Sequence, residues 1–375
     1  MTRSFGGAER LCVETIDALK EAGHYVDLVV NERTDRRLLK QRYGADLKAN
    51  KEVVVFPFIS LPTIYSNMVN WLLRDIIFVP YIKGRYDLTV NTGPFLPISF
   101  DDLVYIQDYP GKLCLHGKYR SNLWRAYSSF YAILANLIVG IFSKLKQMPV
   151  LVTNSRFNGQ AVENSLNRKA LILYPPVHVT NYLSLSKLKC RANIVLTISR
   201  IDESKGLDFI PNIAAKVDDA KFVIIGSVCS KSCLQGLQRT ITKAGLEKRV
   251  IIIPNASEEV KKACLAKAKI YLSLSRYEAF GISVIEGMAS GLVPLVYKNG
   301  APWVDILREE PGLYGYGYAD ACSCANLINV IIHNDHLRTE ITQRSMEQSL
   351  QFNNQIYRKN IVTLVEQLLK LKSSH

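Results

Sequence analysis

The stretch Ser273 to Leu295, SLSRYEAFGISVIEGMASGLVPL, leaves this chain few ways to fold. It continues the apolar run Ile270 to Leu274, the pattern of a buried parallel strand. The polar turn Ser275-Arg276-Tyr277-Glu278 follows, then Ala279-Phe280-Gly281, then a helix-like segment from Ile282 to Ser290. Gly291 stops that helix, and Val293 to Val296 reads as the next strand. Strand, loop, helix and strand in this order form the crossover of a parallel sheet.

Two carboxylates frame the loop, Glu278 before it and Glu286 in the helix behind it. Between them lie the backbone N–H groups of Gly281, Ile282 and Ser283. A helix N-terminus beside a glycine suits a phosphate. The carboxylates cannot hold that phosphate, because like charges repel; they suit sugar hydroxyls. The local chemistry points to a nucleotide sugar. Upstream, the strand Ile194 to Ile198 runs into Ser199-Arg200-Ile201-Asp202-Glu203-Ser204-Lys205-Gly206. Arg200 and Lys205 bracket a turn at the sheet edge where α/β proteins bind ligands. Two cations there would neutralise a diphosphate and the charge that develops on it.

Glu278 and Glu286, with seven residues between them and Phe280-Gly281 inside the interval, resemble the signature of retaining glycosyltransferases of family 4. SRIDESKG resembles that family's donor-phosphate loop. The resemblance implies the α/β GT-B fold: two facing Rossmann-like domains, with a C-terminal helix crossing back to the first. It implies that Glu278 contacts the transferred sugar and Glu286 the ribose of the nucleotide. Phe280, Gly281, Ile282 and Ser283 fall in the same donor site, and Arg200 and Lys205 serve the leaving diphosphate. A nucleotide sugar is then a substrate, and neither cofactor nor metal is expected; no DxD-type carboxylate pair stands out in the sequence.

The opening MTRSFGGAER resembles the start of the family's N-terminal domain. Gly6 and Gly7 lead into a helix, Ala8 to Glu21, and glycines there let the backbone approach a ligand. A strand follows at Tyr25 to Val30. The family implies a hydrophobic strand ahead of this loop, whereas five residues precede Gly6, which leaves either a late start or a missing first strand. Further strands are expected at Glu52 to Phe58, Leu88 to Asn91, Leu103 to Ile106, Pro149 to Asn154 and Leu171 to Tyr174. The family often places a histidine after the strand that ends at Ile106; here Gln107 and Asp108 stand there, and Asp108 is the candidate catalytic group. The second domain adds strands at Lys221 to Gly226 and Val250 to Pro254, a helix at Glu258 to Lys267, and the loop Asn299 to Asp305 near the donor. Asp335 to Lys372 is read as largely helical, with Asn360 to Leu371 as the crossing helix. The expected domains are 1–178, 179–355 and the terminal helix 356–375, with a polar linker from His178 to Ala192.

At 375 residues the chain is long enough for two domains of ordinary size. Its formal charge of +14 favours anionic partners. No nucleic-acid motif is present, so the partners expected are pyrophosphate ligands and a membrane surface. Arg120 to Lys146 combines Trp124, Tyr127, Phe130 and Tyr131 with an apolar run and Lys144 and Lys146. It reads either as a buried helix or as an interfacial one. The eight cysteines lack zinc-site spacing and are expected to be reduced and mostly buried thiols of a cytosolic protein. The location expected is cytoplasmic, peripheral at the cytoplasmic membrane face.

GGAER, the basic charge and the apolar segment around Tyr127 to Phe142 are similar to mannosyltransferases of lipid-linked oligosaccharide synthesis. The function expected is transfer of a hexose, mannose favoured, from GDP-mannose to a lipid-linked glycan. A UDP-sugar transferase making a polysaccharide or glycolipid is one alternative. A non-catalytic GT-B chain that binds a lipid or partner is another. A dinucleotide-dependent oxidoreductase would need G-x-G-x-x-G after a strand, and Gly6-Gly7 does not fit it.

Overall fold

The computed structural model describes residues 6–44, 46–55, 73–93, 99–108, 148–187 and 190–374, together with positions 133, 137 and 140. By its contacts the chain divides into two compact units. The described part of the first comprises residues up to 108, the stretch to Pro176, and Asn354 onward; that of the second is Val177–Asn353. These edges fall at 176/177 and 353/354, where the sequence reading set 178/179 and 355/356.

In the first unit the strands are β1 (Asp27–Val30), β2 (Lys51–Val54), β3 (Val90–Asn91), β4 (Leu103–Ile106), β5 (Val150–Thr153) and β6 (Leu171–Ile172). They form two parallel sheets, β1-β2 and β3-β4-β5-β6. The helices are α1 (Gly7–Glu21), α2 (Arg36–Tyr43), α3 (Val79–Lys83), which continues a wider helical turn at Leu73–Phe78, and α4 (Arg156–Leu166). The last helix of the chain also belongs to this unit.

Helix α1 has two apolar faces, and each seals a different sheet. Leu11 and Ala18 pack with Leu103, Tyr105 and Val152 of the four-stranded sheet and with Tyr357 and Ile361 of the last helix. Val13 and Ile16 pack with Leu28, Val30, Leu39 and Leu47 around the two-stranded one. Polar groups fix the register of the two helices: the hydroxyls of Thr15 and Tyr357 lie 2.6 Å apart, and Arg358 donates to Glu14 at 2.6 Å and to Glu21 at 2.9 Å.

The second unit opens with α5 (Thr180–Leu183) and carries a six-stranded parallel sheet. Its strands are β7 (Ile194–Ile198), β8 (Lys221–Gly226), β9 (Val250–Pro254), β10 (Ile270–Leu272), β11 (Val293–Tyr297) and β12 (Tyr316–Tyr318), in spatial order β12-β11-β10-β7-β8-β9. Helices α6 (Ile210–Ala214), α7 (Lys231–Lys243), α8 (Glu258–Lys267), α9 (Ile282–Ala289), α10 (Ala321–His333) and α11 (Asp335–Ser349) make the connections and cover the faces. Unbroken apolar strands such as IVLTI and VIIIP suit this parallel arrangement. The core runs through Val195, Phe222, Ile224, Ile270, Leu272, Leu295, Ile328 and Ile331. Ser155, Ser230, Ser257, Asp320 and Asn334 cap helices by accepting a first-turn N–H, the local reason these helices start where they do.

Several elements differ in extent from the sequence reading. The final helix, α12, is Asn354–Ser373, longer than the expected Asn360 to Leu371 because its first turns carry Tyr357 and Ile361 into the first unit's core. β1, β3, β5 and β6 are shorter than expected, since only part of each apolar run finds a ladder partner. Helix α10 and strand β12 lay outside the sequence reading altogether. The thiols are also less hidden than expected: among the described cysteines Cys190, Cys229 and Cys322 are exposed and only Cys324 is buried. Of the segment Arg120 to Lys146, only Ile133, Leu137 and Gly140 are described; they are helical and exposed, and the rest of that expectation lies outside the described residues. No helix among the described residues is long and apolar enough to cross a membrane.

Candidate active site

The order of the second sheet creates a crevice by topology alone. From β7 the chain builds outward through β8 and β9, then crosses back to lay β10, β11 and β12 on the other side of β7. The loops leaving the carboxyl ends of β7 and β10 therefore diverge at a switch point, the usual ligand site of an open α/β sheet. The β7 loop carries Arg200 and Lys205; the β10 loop carries Glu278 and Gly281.

Those two loops are joined by a short ion pair. Lys205 Nζ lies 2.6 Å from Glu278 Oε2, with side chains 18% and 24% exposed. The turn at Glu203–Lys205 holds the lysine: Asp202 accepts the Ser204 N–H at 2.9 Å and starts the turn. Glu203 in turn accepts from Ser230 at 2.6 Å, which ties the loop to the start of α7 and holds the Glu203 carboxyl below its usual range. Arg200 is on the solvent side, its side chain 57% exposed and its Nε 3.4 Å from Asp202 Oδ2.

The backbone at Glu278 is braced from behind by the loop after β11. Ala301 N–H donates to the Glu278 carbonyl at 2.9 Å, and Asn299 donates to the Arg276 carbonyl at 3.0 Å. Gly300 permits this approach: with φ at +108°, a Cβ there would lie 2.9 Å from the Glu278 oxygen. Gly281 then sets the angle of α9. Its φ is +103°, and a Cβ would meet Pro302 Cγ at 2.9 Å. No side chain caps α9, so the N–H groups of its first turn, at Ile282 and Ser283, lack the capping partner other helices have.

Phe280 is 3% exposed, and its ring meets Phe352 edge-on at 5.7 Å between centroids. Its side chain is a core group that anchors the loop. The Ser283 hydroxyl lies 2.7 Å from the Tyr271 hydroxyl, itself 3.1 Å from the Ile198 carbonyl at the end of β7. Burial pushes the Tyr271 phenol well up, so it stays protonated. Glu286 is 4% exposed and held by groups the sequence reading missed. Tyr182 reaches its Oε1 at 3.0 Å and Lys261 its Oε2 at 3.3 Å. Tyr182 stands in the stretch read as a linker, and Lys261 is one lysine among several on α8, so no spacing signalled either.

The remaining candidates belong to the first unit. Gly6 and Gly7 are exposed at the start of α1, and the Gly6 N–H donates to the Glu9 carboxylate at 2.8 Å. Asp108 is exposed just beyond β4. Beside it Gln107 is well anchored: it donates to the Thr92 carbonyl at 2.7 Å, and its own carbonyl accepts from Asn154 at 2.7 Å and Asn158 at 3.1 Å. Among the described residues no group of three or more His, Cys, Asp or Glu side chains is arranged to hold a metal ion.

Comparison with known proteins places the chain among glycosyltransferase-like sequences and folds. Residues 186–348 match the family Glycosyl transferases group 1, which covers the second unit's sheet, helices α6 to α10 and all but the last residue of α11. A GDP-Man:Man(3)GlcNAc(2)-PP-Dol alpha-1,2-mannosyltransferase from Dictyostelium discoideum is 25% identical over 215 residues, a match spanning 51% of this chain and 42% of that protein. The chain thus covers less than half the length of that relative. Alpha-1,3/1,6-mannosyltransferase ALG2 of the same organism is 23% identical over 354 residues, 82% of each chain. Among solved structures, a glycosyltransferase from Rickettsia africae superposes with a TM-score of 0.69 at 16% identity, over 97% of this chain and 96% of that one. The fold is GT-B, with two Rossmann-like units, and the match to the group 1 glycosyltransferase family lies in the second.

Proposed function

We propose that this protein is a retaining glycosyltransferase that moves a hexose, mannose in the favoured reading, from a nucleoside diphosphate sugar to a lipid-linked glycan. The observation that carries the proposal is the Lys205–Glu278 pair, 2.6 Å across the switch point and beside the uncapped start of α9. A cation suited to phosphate beside a carboxylate suited to sugar hydroxyls supports a nucleotide sugar as the ligand. The mannosyltransferase names of the relatives favour GDP-mannose as donor and a lipid-linked oligosaccharide as acceptor. The net charge of +14 favours action at an anionic membrane face, with the chain peripheral to it.

In this reading Arg200, Lys205 and the first-turn amides of α9 stabilise the negative charge that gathers on the leaving diphosphate. Glu278 fixes the sugar hydroxyls while the anomeric carbon becomes oxocarbenium-like. The bond from the anomeric carbon to the diphosphate oxygen breaks. The acceptor oxygen bonds to the same face of that carbon, and its proton passes to the departing phosphate. The side chains named here carry these steps with neither cofactor nor metal.

The test is thermal stabilisation by GDP and by UDP, on the native chain and on Arg200→Ala. A ligand at one hundred times its Kd adds about 2.7 kcal/mol. Stabilisation by GDP that the variant loses supports the proposal. Stabilisation by UDP alone moves the donor to a UDP-sugar, and stabilisation by neither overturns the phosphate site.

A further inference from the structure

The ends of α3 and α12 enclose a groove of about 710 Å³ in the first unit. Lys83 and Gly84 stand on one wall, Lys370 and Lys372 on the other. Lys372 ties the walls together, its Nζ donating to the Asp87 carbonyl at 2.7 Å. Asp87 and Asp102 lie just before β3 and β4, so the groove sits at the amino edge of the four-stranded sheet. Open α/β sheets bind their ligands at the carboxyl edge, and this groove lies apart from it.

The groove is cationic. Lys83 and Lys372 share a single carboxylate, Asp102, each at 3.1 Å. Lys370 is exposed, and so is Arg85, one residue past Gly84. With Asp87, which also lines the groove, four cations face two carboxylates, a net charge of +2. The same walls expose apolar groups beside those cations. Leu371, between Lys370 and Lys372, is 60% exposed. On the other wall Tyr81 is 66% exposed, and Ile77, one turn earlier, 55%. Val79 and Ile82 of the same helical stretch are buried, so this stretch has one face in the core and a second, apolar face outside. Arg85 donates to the Tyr81 hydroxyl at 2.8 Å, and its guanidinium lies 4.7 Å from the centre of that ring. An aromatic ring with a cation at its polar tip suits the level where hydrocarbon meets lipid headgroups.

Cations alone would suit any polyanion. Nucleic acid, however, offers exposed aliphatic side chains little to bury against. A bilayer of anionic lipids complements both features, with phosphates for the cations and acyl chains for the apolar groups. We infer that the ends of α3 and α12 form a docking surface for an anionic membrane. Lipid phosphates meet Arg85, Lys370 and the groove lysines, while Tyr81 and Leu371 enter the headgroup layer. The inference rests on the membrane contact proposed above and names the surface that makes it.

Co-sedimentation with vesicles tests it, on the full chain without nucleotide. The vesicles are phosphatidylcholine alone, or phosphatidylcholine mixed with phosphatidylserine. The native chain is expected to bind the mixed vesicles and to be released by salt. Arg85→Gln with Lys370→Gln is expected to weaken that binding about twentyfold, at about fivefold per cation, and to lower its salt dependence. Tyr81→Ser with Leu371→Ser is expected to weaken it about tenfold and to leave the salt dependence as it was. Lys243→Gln with Lys248→Gln removes the same charge from exposed sites in the second unit. That pair is expected to change binding by less than about threefold, since screening confines the effect of a charge to its neighbourhood. All the substituted side chains are exposed, and thermal denaturation checks that each variant is folded.

Equal weakening by the Arg85/Lys370 pair and the Lys243/Lys248 pair overturns the inference, because net charge alone then explains the binding. So does a Tyr81/Leu371 pair that binds like the native chain. A native chain that ignores the mixed vesicles overturns the inference together with the membrane contact it rests on. Stabilisation by GDP or UDP reads the second unit, so the transferase proposal stands or falls separately.

Discussion

Lys205 Nζ and Glu278 Oε2 lie 2.6 Å apart although 73 residues separate them in sequence. The contact exists because β10 is laid beside β7, so that the loops from both strands leave the sheet at one place. Neither side chain is fully buried, so the pair adds little stability, and its value is geometric. Lys205→Met and Glu278→Gln should each leave a folded protein whose turnover falls by about a hundredfold or more, the scale of one lost transition-state contact. Because the residues act as a unit, the double variant should lose little beyond the worse single one. Steady-state rates with a radiolabelled nucleotide sugar check this; full additivity would mean that the two side chains act independently.

Gly281→Ala tests the turn that aims α9. The left-handed backbone at φ +103° costs an alanine about 1–3 kcal/mol, and the new Cβ would press on Pro302 Cγ at 2.9 Å. A drop of about 2–4 °C in Tm per kcal/mol is expected for a unit of this size, read by thermal denaturation. An unchanged Tm would mean that the turn can relax at no cost.

Arg191 closes two helix ends. Its guanidinium donates to the carbonyls of Leu265 and Ala268 at the end of α8, Ser290 after α9, and Leu185. Arg191→Met removes all of these bonds and leaves partly buried carbonyls unpaired, at a cost of about 2–4 kcal/mol. Arg191→Lys should recover only part, since a point-like ammonium cannot span carbonyls that a planar fork reaches. Urea unfolding gives both values, and a lysine variant as stable as the native chain would refute the fork argument.

Asp102 gives the first unit an acid-sensitive joint. Burial pushes its carboxyl up, but the Thr89 N–H at 2.9 Å and the ammonium groups of Lys83 and Lys372, each at 3.1 Å, outweigh it and hold the group below the usual 3.8. A folded-state pKa below the unfolded one adds stability at neutral pH, and that part is lost as pH falls below about 4. Asp17, raised by burial, works with the opposite sign. Asp102→Asn should therefore flatten the acid limb of the stability curve, whereas Asp17→Asn should steepen it. Urea midpoints from about pH 7 to about pH 3 distinguish them.

Much of the second unit is legible in the sequence, for a physical reason. Strands β7, β8 and β9 and helix α8 fall where the sequence reading sets them, because buried parallel strands and capped helices are written in local composition. The candidate residues of one loop, Glu278 to Ser283, come as a group because they are contiguous. The first unit is less legible. Its short strands depend on which part of an apolar run finds a partner, and α12 begins at Asn354 because Tyr357 and Ile361 meet α1 and the four-stranded sheet. Locally, nothing at Asn354 announces that.

Residue type and short spacing are enough to read the strand–helix–strand unit from Ile270 to Val296, the two cations at Arg200 and Lys205, and the two glutamates. The tertiary structure alone decided which of them meet. It joined Lys205 to Glu278, buried Phe280 against Phe352, and surrounded Glu286 with Tyr182 and Lys261. Such pairings span 25 to 104 positions of chain, and only the order of strands in the sheet and the packing of helices on it can fix them.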